Sequence, residues 1–148
     1  MSKIYAFLIL VPFIALLFFK GVLFYEYDTK ERYIKDLTDS IAYKVKITGV
    51  LTPDEYNEFK TKLGTLWKFD DLNGSIVLKR GRYVDGTVTD WSAYTPNTQL
   101  GKGEAFMVYV KSSQPSNYSK LQNGGVDPDP SKNLYYVAKA QCRVEYDN

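Results

Sequence analysis

Residues 4–25 read IYAFLILVPFIALLFFKGVLFY, and residues 26–46 continue as EYDTKERYIKDLTDSIAYKVK. The first stretch holds a single charged side chain, Lys20, and as a helix rising about 1.5 Å per residue it reaches roughly 33 Å, close to a hydrocarbon core of about 30 Å. Because backbone amides in lipid must be paired within their own segment, a lone apolar segment there has to be helical. The sequence therefore predicts a transmembrane anchor over residues 1–27, followed by one domain over residues 28–148.

Two other interpretations of the apolar stretch remain open. A cleaved signal peptide would place small residues at an A-x-A-like site after its apolar core, whereas residues 18–24 read FFKGVLF and are bulky. A buried helix of a soluble protein is disfavoured because the stretch is so long and so uniformly apolar.

For an anchor, Pro12 predicts a modest kink, while Lys20, Tyr25 and Tyr27 suit the headgroup region.

The segment over residues 28–48 is predicted to be an amphipathic helix that continues the anchor without a break and stops at Gly49. Its apolar side chains recur at intervals of three and four residues, which places them on one helix face. We expect that face to dock onto the rest of the domain. The four docking residues are Ile34, Leu37, Ile41 and Val45.

A second, short helix is predicted over residues 52–64. Thr52 is a suitable cap, Pro53 suits the first helical position, and Glu55 completes a capping box. We expect Gly64 to end this helix. Its core-facing side chains would be Tyr56, Phe59 and Leu63.

The remainder, residues 75–148, is predicted to form an antiparallel β-sheet, which makes the fold class α+β. Residues 104–111 are continuously apolar and indicate a central strand, while residues 134–146 alternate with a period of two, as in a strand with one wet face. The composition of residues 112–133 predicts a long exposed loop. Further strands are expected at residues 75–80, 82–84 and 87–91, next to turns at Asn73-Gly74 and Asp85-Gly86.

Charge is balanced in the predicted domain. Of the 19 basic residues only Lys3 and Lys20 precede Tyr25, which leaves 17 basic against 17 acidic residues. This balance disfavours nucleic-acid binding, which requires a basic face. Basic residues after the anchor would by themselves place the domain in the cytoplasm, but a short N-terminal tail followed by a folded domain favours export.

No catalytic constellation is visible. The chain has no histidine, so a serine or cysteine nucleophile lacks its usual base. Cys142 lies on an alternating strand and is expected to be a small buried residue; being single, it forms no internal disulfide. The acidic pairs Asp70/Asp71 and Asp127/Asp129 lack the spacing of a calcium loop. We therefore expect no catalytic residue, no cofactor and no metal site.

The aromatic residues exceed what a small core can bury. They either pad the surface of the sheet or form an interaction surface, because Tyr and Trp give a large contact area at low entropic cost. The sequence favours neither interpretation. The candidate surface residues are Trp91, Tyr94, Tyr118 and Tyr135.

A long helix that is apolar in its first half and amphipathic in its second, followed by a short helix and an antiparallel sheet, resembles the layout of pilins and pseudopilins. The stretch that carries the resemblance is residues 34–63, where one helix ends and TPDE (52–55) opens the next. The apolar strand after LGKG (100–103) fits the same layout. More narrowly, the chain resembles the small pilin-like proteins of Tad-type pilus systems and of Gram-positive conjugative elements.

The resemblance implies an exported, membrane-anchored domain with a role in a pilus, secretion or conjugation apparatus. Gly21 followed by Glu26 is similar to a prepilin cleavage site with its acidic fifth residue. Cleavage there would remove the apolar segment instead of preceding it, so we interpret the match as accidental.

Two functional hypotheses follow, and an enzyme is disfavoured. In the first, the chain is a non-enzymatic subunit that packs against copies of itself or other pilin-like subunits, in the cell membrane or in an extracellular filament. In the second, it is a monomeric, membrane-tethered binding module that uses a tyrosine-rich sheet face or the 112–133 loop. Lateral packing in the first hypothesis would use one helical stripe formed by Phe7, Leu10, Ile14 and Leu17.

Overall fold

The computed structural model describes residues 2–70 and 74–147, which fold as α+β around one long helix. The elements in chain order are α1 (Ser2–Thr48), α2 (Pro53–Leu66), β1 (Ile76–Val84), β2 (Thr87–Ala93), β3 (Glu104–Lys111), α3 (Asn117–Asn123), a 3₁₀ turn (Pro130–Lys132) and β4 (Val137–Arg143). The strands pair in a single antiparallel sheet in the order β2-β1-β3-β4.

Helix α1 is 47 residues long and therefore extends roughly 70 Å. It runs through Pro12 and across the change from apolar to charged sequence at Glu26 without interruption. It stops at the predicted position, where Gly49 has a φ of +72° and its N–H donates to the Val45 carbonyl at 2.8 Å. Glycine adopts this left-handed conformation without the steric cost of a Cβ atom, which is why the helix ends here.

Helix α2 begins as predicted. The Thr52 side chain accepts a hydrogen bond from the Glu55 N–H at 3.2 Å, and Pro53 occupies the first turn. The predicted end at Gly64 is wrong, because α2 continues to Leu66. A glycine inside a helix costs only about 1 kcal/mol, and burial of apolar side chains in the same turn offsets that cost.

The core lies between the inner face of the sheet and the helices α1 and α2. β3 lies between β1 and β4, as predicted, with Leu78, Val108 and Ala140 side by side across the three strands. The α1 residues buried against the sheet and α2 are Ile34, Thr38, Ile41, Ala42 and Val45. A long apolar N-terminal helix packed on a four-stranded antiparallel sheet is a pilin-like architecture. We call residues 28–147 the head.

Several sequence-based boundaries in the C-terminal part need correction. The strands predicted at residues 75–80 and 82–84 form one strand, Ile76–Val84, and the strand predicted at residues 87–91 continues to Ala93. The strand predicted over residues 134–146 is shorter, Val137–Arg143, although its alternation of buried and exposed side chains is retained. Residues 112–133 are not one exposed loop, because they contain α3 and the 3₁₀ turn.

Hydrogen bonds accepted by serine side chains explain why residues 112–133 are not one exposed loop. Ser116 caps α3 by accepting the N–H of Ser119 at 3.2 Å, and the Ser119 hydroxyl accepts the N–H of Leu134 at 2.8 Å. The Ser112 hydroxyl accepts the N–H of Tyr136 at 3.0 Å. Composition alone marks these serines as loop residues, whereas each satisfies a backbone donor within a folded segment.

Two further sequence features fall partly outside the described residues. The turn predicted at Asn73-Gly74 and the acidic pair Asp70/Asp71 both reach into residues 71–73.

The head has two distinct ends. α1 and β4 run in the same direction, since the Tyr27 ring stacks on the Tyr136 ring at 5.2 Å between centroids and the Glu145 N–H donates to the Lys46 carbonyl at 2.9 Å. The connection from β3 to β4 therefore lies at the proximal end of the head, next to the apolar half of α1. The Asp85-Gly86 turn between β1 and β2 lies at the distal end.

The structure corrects the placement of Tyr94, which is 5% exposed and not a surface residue. Its hydroxyl donates to the Thr98 carbonyl at 2.8 Å and accepts the Leu51 N–H at 2.9 Å. Its ring meets Phe106 edge-on, 5.2 Å between centroids. Burial raises the pKa of the Tyr94 hydroxyl. The residue thus ties the α1–α2 connection to the segment between β2 and β3.

We expect Tyr94→Phe to lower the free energy of unfolding by about 1–3 kcal/mol, because the N–H of the buried Leu51 would lose its hydroxyl partner. Tyr43→Phe is the matched control: Tyr43 is 61% exposed, and its substitution should change stability by less than about 0.5 kcal/mol. Urea unfolding of both variants measures the difference. Equal stability of the two would contradict the role assigned to the Tyr94 hydroxyl.

Candidate functional site

The apolar segment of α1, residues 2–22, is exposed along its whole length. Its most apolar stretch of 18 residues has a mean hydropathy of 2.6, with no residue buried. Among the described residues, α1 is the one helix long and apolar enough to cross a membrane, a property shared by membrane anchors and signal sequences. An uncovered apolar surface of this size marks contact with lipid or with other protein surfaces.

All four residues of the predicted packing stripe lie in this segment and are free for contact. They are between 54% and 66% exposed, and no described part of the head covers them. The opposite side of the helix is equally open, since Leu16 is 53% exposed. Burial in the single chain therefore does not distinguish the stripe from the remaining helix surface. The stripe residues are Phe7, Leu10, Ile14 and Leu17.

The polarity of α1 changes within one turn after Tyr25. Lys30 Nζ lies 3.1 Å from Glu26 Oε1, and Arg32 Nη2 lies 3.1 Å from Asp28 Oδ2, both pairs one turn apart on the same helix. Such pairs contribute only a few tenths of a kcal/mol each. Their significance is positional, because they mark the point at which the helix surface becomes suited to water.

The head contacts α1 at this same point. The Tyr118 ring of α3 meets the Phe24 ring edge-on, 5.4 Å between centroids, and the Asn117 side-chain amide donates to Glu26 Oε1 at 3.3 Å. One turn further, Tyr27 stacks on Tyr136. No free stalk separates the exposed apolar segment from the head, so any surface that covers the segment also lies next to α3.

Trp67 joins three helices at the proximal end. Its ring lies beneath the Lys30 ammonium, 4.8 Å from the ring centroid, and beneath that of Lys120 at 5.7 Å. Its indole N–H donates to the Gln114 carbonyl at 3.0 Å. The residue thereby connects the end of α2 to α1 and α3. Sequence analysis missed both this contact and the Phe24–Tyr118 contact, since neither leaves a local pattern.

The predicted docking face of α1 lies inside the head. Ile34, Ile41 and Val45 are buried, and Leu37 is half-buried against the same core. The face meets β3, β4 and α2. The second half of α1 is therefore part of the core, whereas the first half is entirely outside it.

The other predicted surface aromatics lie in three different environments. Tyr118 packs against α1 and is half-buried. Tyr135 is half-buried, with the Lys111 ammonium 4.7 Å from its ring centroid. Trp91 lies on the edge strand β2 and is exposed, in contact range of Gly81, where an added Cβ would come 3.1 Å from the indole. The four residues do not form one surface.

The outer face of the sheet carries an excess of positive charge. By strand register, four exposed basic residues occupy outward positions on β1, β3 and β4, and no carboxylate occupies an outward position on these described strands. Lys139, on the edge strand β4, also borders a cavity lined by Glu31 and Arg32 of α1. Tyrosine rings lie under two of the cations, and Tyr109 stands between them. The chain as a whole has a formal charge of only +2. The four basic residues are Lys79, Lys111, Lys139 and Arg143.

The shifted pKa values of Cys142 and Glu104 are explained by burial and by local hydrogen bonds. Burial raises the pKa of the Cys142 thiol to about 11, so the nucleophilic thiolate is scarce at neutral pH. Burial also pushes the pKa of Glu104 upward, but the Gly101 N–H and the Arg80 guanidinium, each at 2.6 Å, lower it overall. Within residues 2–70 and 74–147, no three His, Cys, Asp or Glu side chains are grouped to hold a metal ion.

No protein-family model, curated protein or solved structure matches this chain. The functional argument therefore rests on the geometry described above.

Proposed function

We propose that the protein is a non-enzymatic, single-pass, membrane-anchored pilin-like subunit. Its N-terminal helix would assemble with other copies or with other pilin-like subunits into a pilus, secretion or conjugation apparatus. The observation that supports this proposal is one uninterrupted helix, α1. Its residues 2–22 are exposed and, apart from Ser2, Lys3 and Lys20, apolar, and one face of its second half is buried in the core of the head.

The physical argument concerns what covers the exposed segment. In a membrane the lipid chains would cover the apolar surface of the segment, and the backbone of the segment is already hydrogen-bonded within the helix. Association between such helices then depends on close packing of side chains, because lipid is as apolar as leucine. The stripe containing Ile14 would supply that packing, and the charged side chains just beyond Tyr25 would set the register between neighbouring helices.

Packing between anchors would also affect the heads, because the junction between anchor and head is rigid. Because α1 continues into the core without a hinge, lateral contact between two anchors would fix the relative position of the two heads. We propose that the head is exported and lies outside the cell, either at the membrane surface or along a filament.

Replacing Ile14 by Asp should abolish assembly while leaving the folded head intact, since a carboxylate on the packing stripe would be desolvated without a partner. Leu16→Asp is the matched control. It lies at nearly the same depth with the same insertion cost, but on the opposite side of the helix. Chemical crosslinking in membranes and electron microscopy of the purified full-length protein measure assembly.

We expect higher oligomers or filaments for the wild type and for Leu16→Asp, and single subunits for Ile14→Asp. Assembly of Ile14→Asp at the wild-type level would contradict packing through this stripe.

A second candidate function, a membrane-tethered binding module, is favoured by the outer face of the sheet. Four basic side chains without a carboxylate, next to tyrosine rings, form a surface suited to an anionic polymer. This proposal uses the sheet face of the earlier alternative. It no longer uses the 112–133 segment as an outward-reaching loop, because that segment lies at the proximal end.

Replacing Lys79 and Lys139 together by Glu should strongly reduce retention of the full-length protein on immobilised heparin, used here as a generic polyanion. Lys44→Glu with Lys62→Glu is the control, because it changes the net charge equally on a different part of the surface. The sodium chloride concentration needed for elution is the readout. Equal elution of the two double variants would show that only net charge matters and would reject the face as a site.

A further inference from the structure

The segment between β3 and β4 presents exposed apolar side chains at the proximal end of the head. We call residues 117–134 the cap; it consists of α3, the 3₁₀ turn and the residues that join them. We infer that the cap rests on the surface of the bilayer and forms a second, peripheral membrane contact. The inference rests on the proposed anchoring of α1.

The height of the cap follows from the length of the anchor. Residues 4–25 reach roughly 33 Å, so Phe24 lies where a hydrocarbon core of about 30 Å ends. The Tyr118 ring touches the Phe24 ring, and Asn117 donates to Glu26 two residues further along α1. These contacts hold the first turn of α3 at the level of the lipid headgroups.

Hydrogen bonds make the cap a fixed surface. The Asn123 side-chain amide donates to the Lys132 carbonyl at 2.9 Å. The Asn133 side chain accepts the Asp127 N–H at 3.0 Å and donates to the Asp127 carbonyl at 2.9 Å. Because these bonds already order the segment, docking on a bilayer would cost little additional conformational entropy.

Two exposed apolar side chains of the cap, Val126 and Leu134, have the chemistry of an interfacial contact. Val126 is 55% and Leu134 is 41% exposed, and Leu121 and Tyr118 of α3 are half-buried. Aliphatic side chains next to a tyrosine favour the boundary between headgroups and acyl chains.

The charge of the cap indicates which lipid it requires. Lys120 and Lys132 are balanced by Asp127 and Asp129, and both carboxylates are engaged locally. Asp127 Oδ1 accepts the Asp129 N–H at 2.9 Å, and Asp129 Oδ1 accepts the Ser131 N–H at 3.1 Å. A surface with no net charge gains little from anionic lipid, so the contact should form on zwitterionic phosphatidylcholine and persist at high salt.

The test places an environment-sensitive nitrobenzoxadiazole label at single cysteines in a Cys142→Ala background of the full-length protein. The cap variants are V126C and L134C. V84C is the matched control, because Val84 is 45% exposed but lies at the distal end, and L10C reports on the anchor. Each variant is reconstituted in phosphatidylcholine vesicles with or without lipids that carry a nitroxide near the headgroup or deep in the acyl chain.

We expect the cap labels to shift their emission to the blue and to be quenched by the shallow nitroxide, whereas the V84C label behaves as in water. The L10C label should be quenched by the deep nitroxide. If either cap label matches V84C while L10C is quenched, the cap inference is overturned and the anchor stands. If L10C is not quenched, the proposed anchoring itself fails.

Discussion

The fold depends on one helix that must satisfy two different surroundings. Up to about Tyr25 the surface of α1 is apolar apart from Lys3 and Lys20 and suits lipid or other apolar surfaces. From Ile34 onward one face of the same helix is buried in the core of the head. The helix continues through Gly21 and no loop interrupts the connection, so the head is held at a fixed position relative to the apolar segment. The contacts of Phe24 with Tyr118 and of Tyr27 with Tyr136 reinforce this arrangement at the junction.

Several features were predictable because the signal was local. The uniform apolar run, the spacing from Ile34 to Val45 and the start of α2 at Thr52 each depend on residues close together in sequence. Local signals failed where distant residues decide the outcome. Gly64 did not end α2, because tertiary packing of the last turn outweighs a small propensity cost. Tyr94 was expected at the surface, because its hydroxyl partners Leu51 and Thr98 belong to connections that the sequence does not show to be adjacent.

The candidate functional surfaces also differ in whether a local sequence signal predicts them. The exposed apolar segment of α1 is visible in the sequence because it depends only on a continuous run of apolar residues. The basic outer face of the sheet was not visible in the sequence. The total charge is nearly balanced, and only strand register separates the lysines from the carboxylates. The segment between β3 and β4 was predicted from its composition to be a long exposed loop, whereas the direction of β4 along α1 places it beside the apolar segment.

The most direct test of this account is the distance across the junction. Spin labels at L16C and S40C in the Cys142→Ala background lie 24 residues apart, so a continuous helix predicts a narrow distribution centred at about 36 Å. Double electron–electron resonance on the full-length protein in phosphatidylcholine vesicles measures it. A narrow distribution at that distance is the predicted result. A broad or much shorter distribution, or loss of the L16C label because the mature chain begins beyond it, would contradict the account.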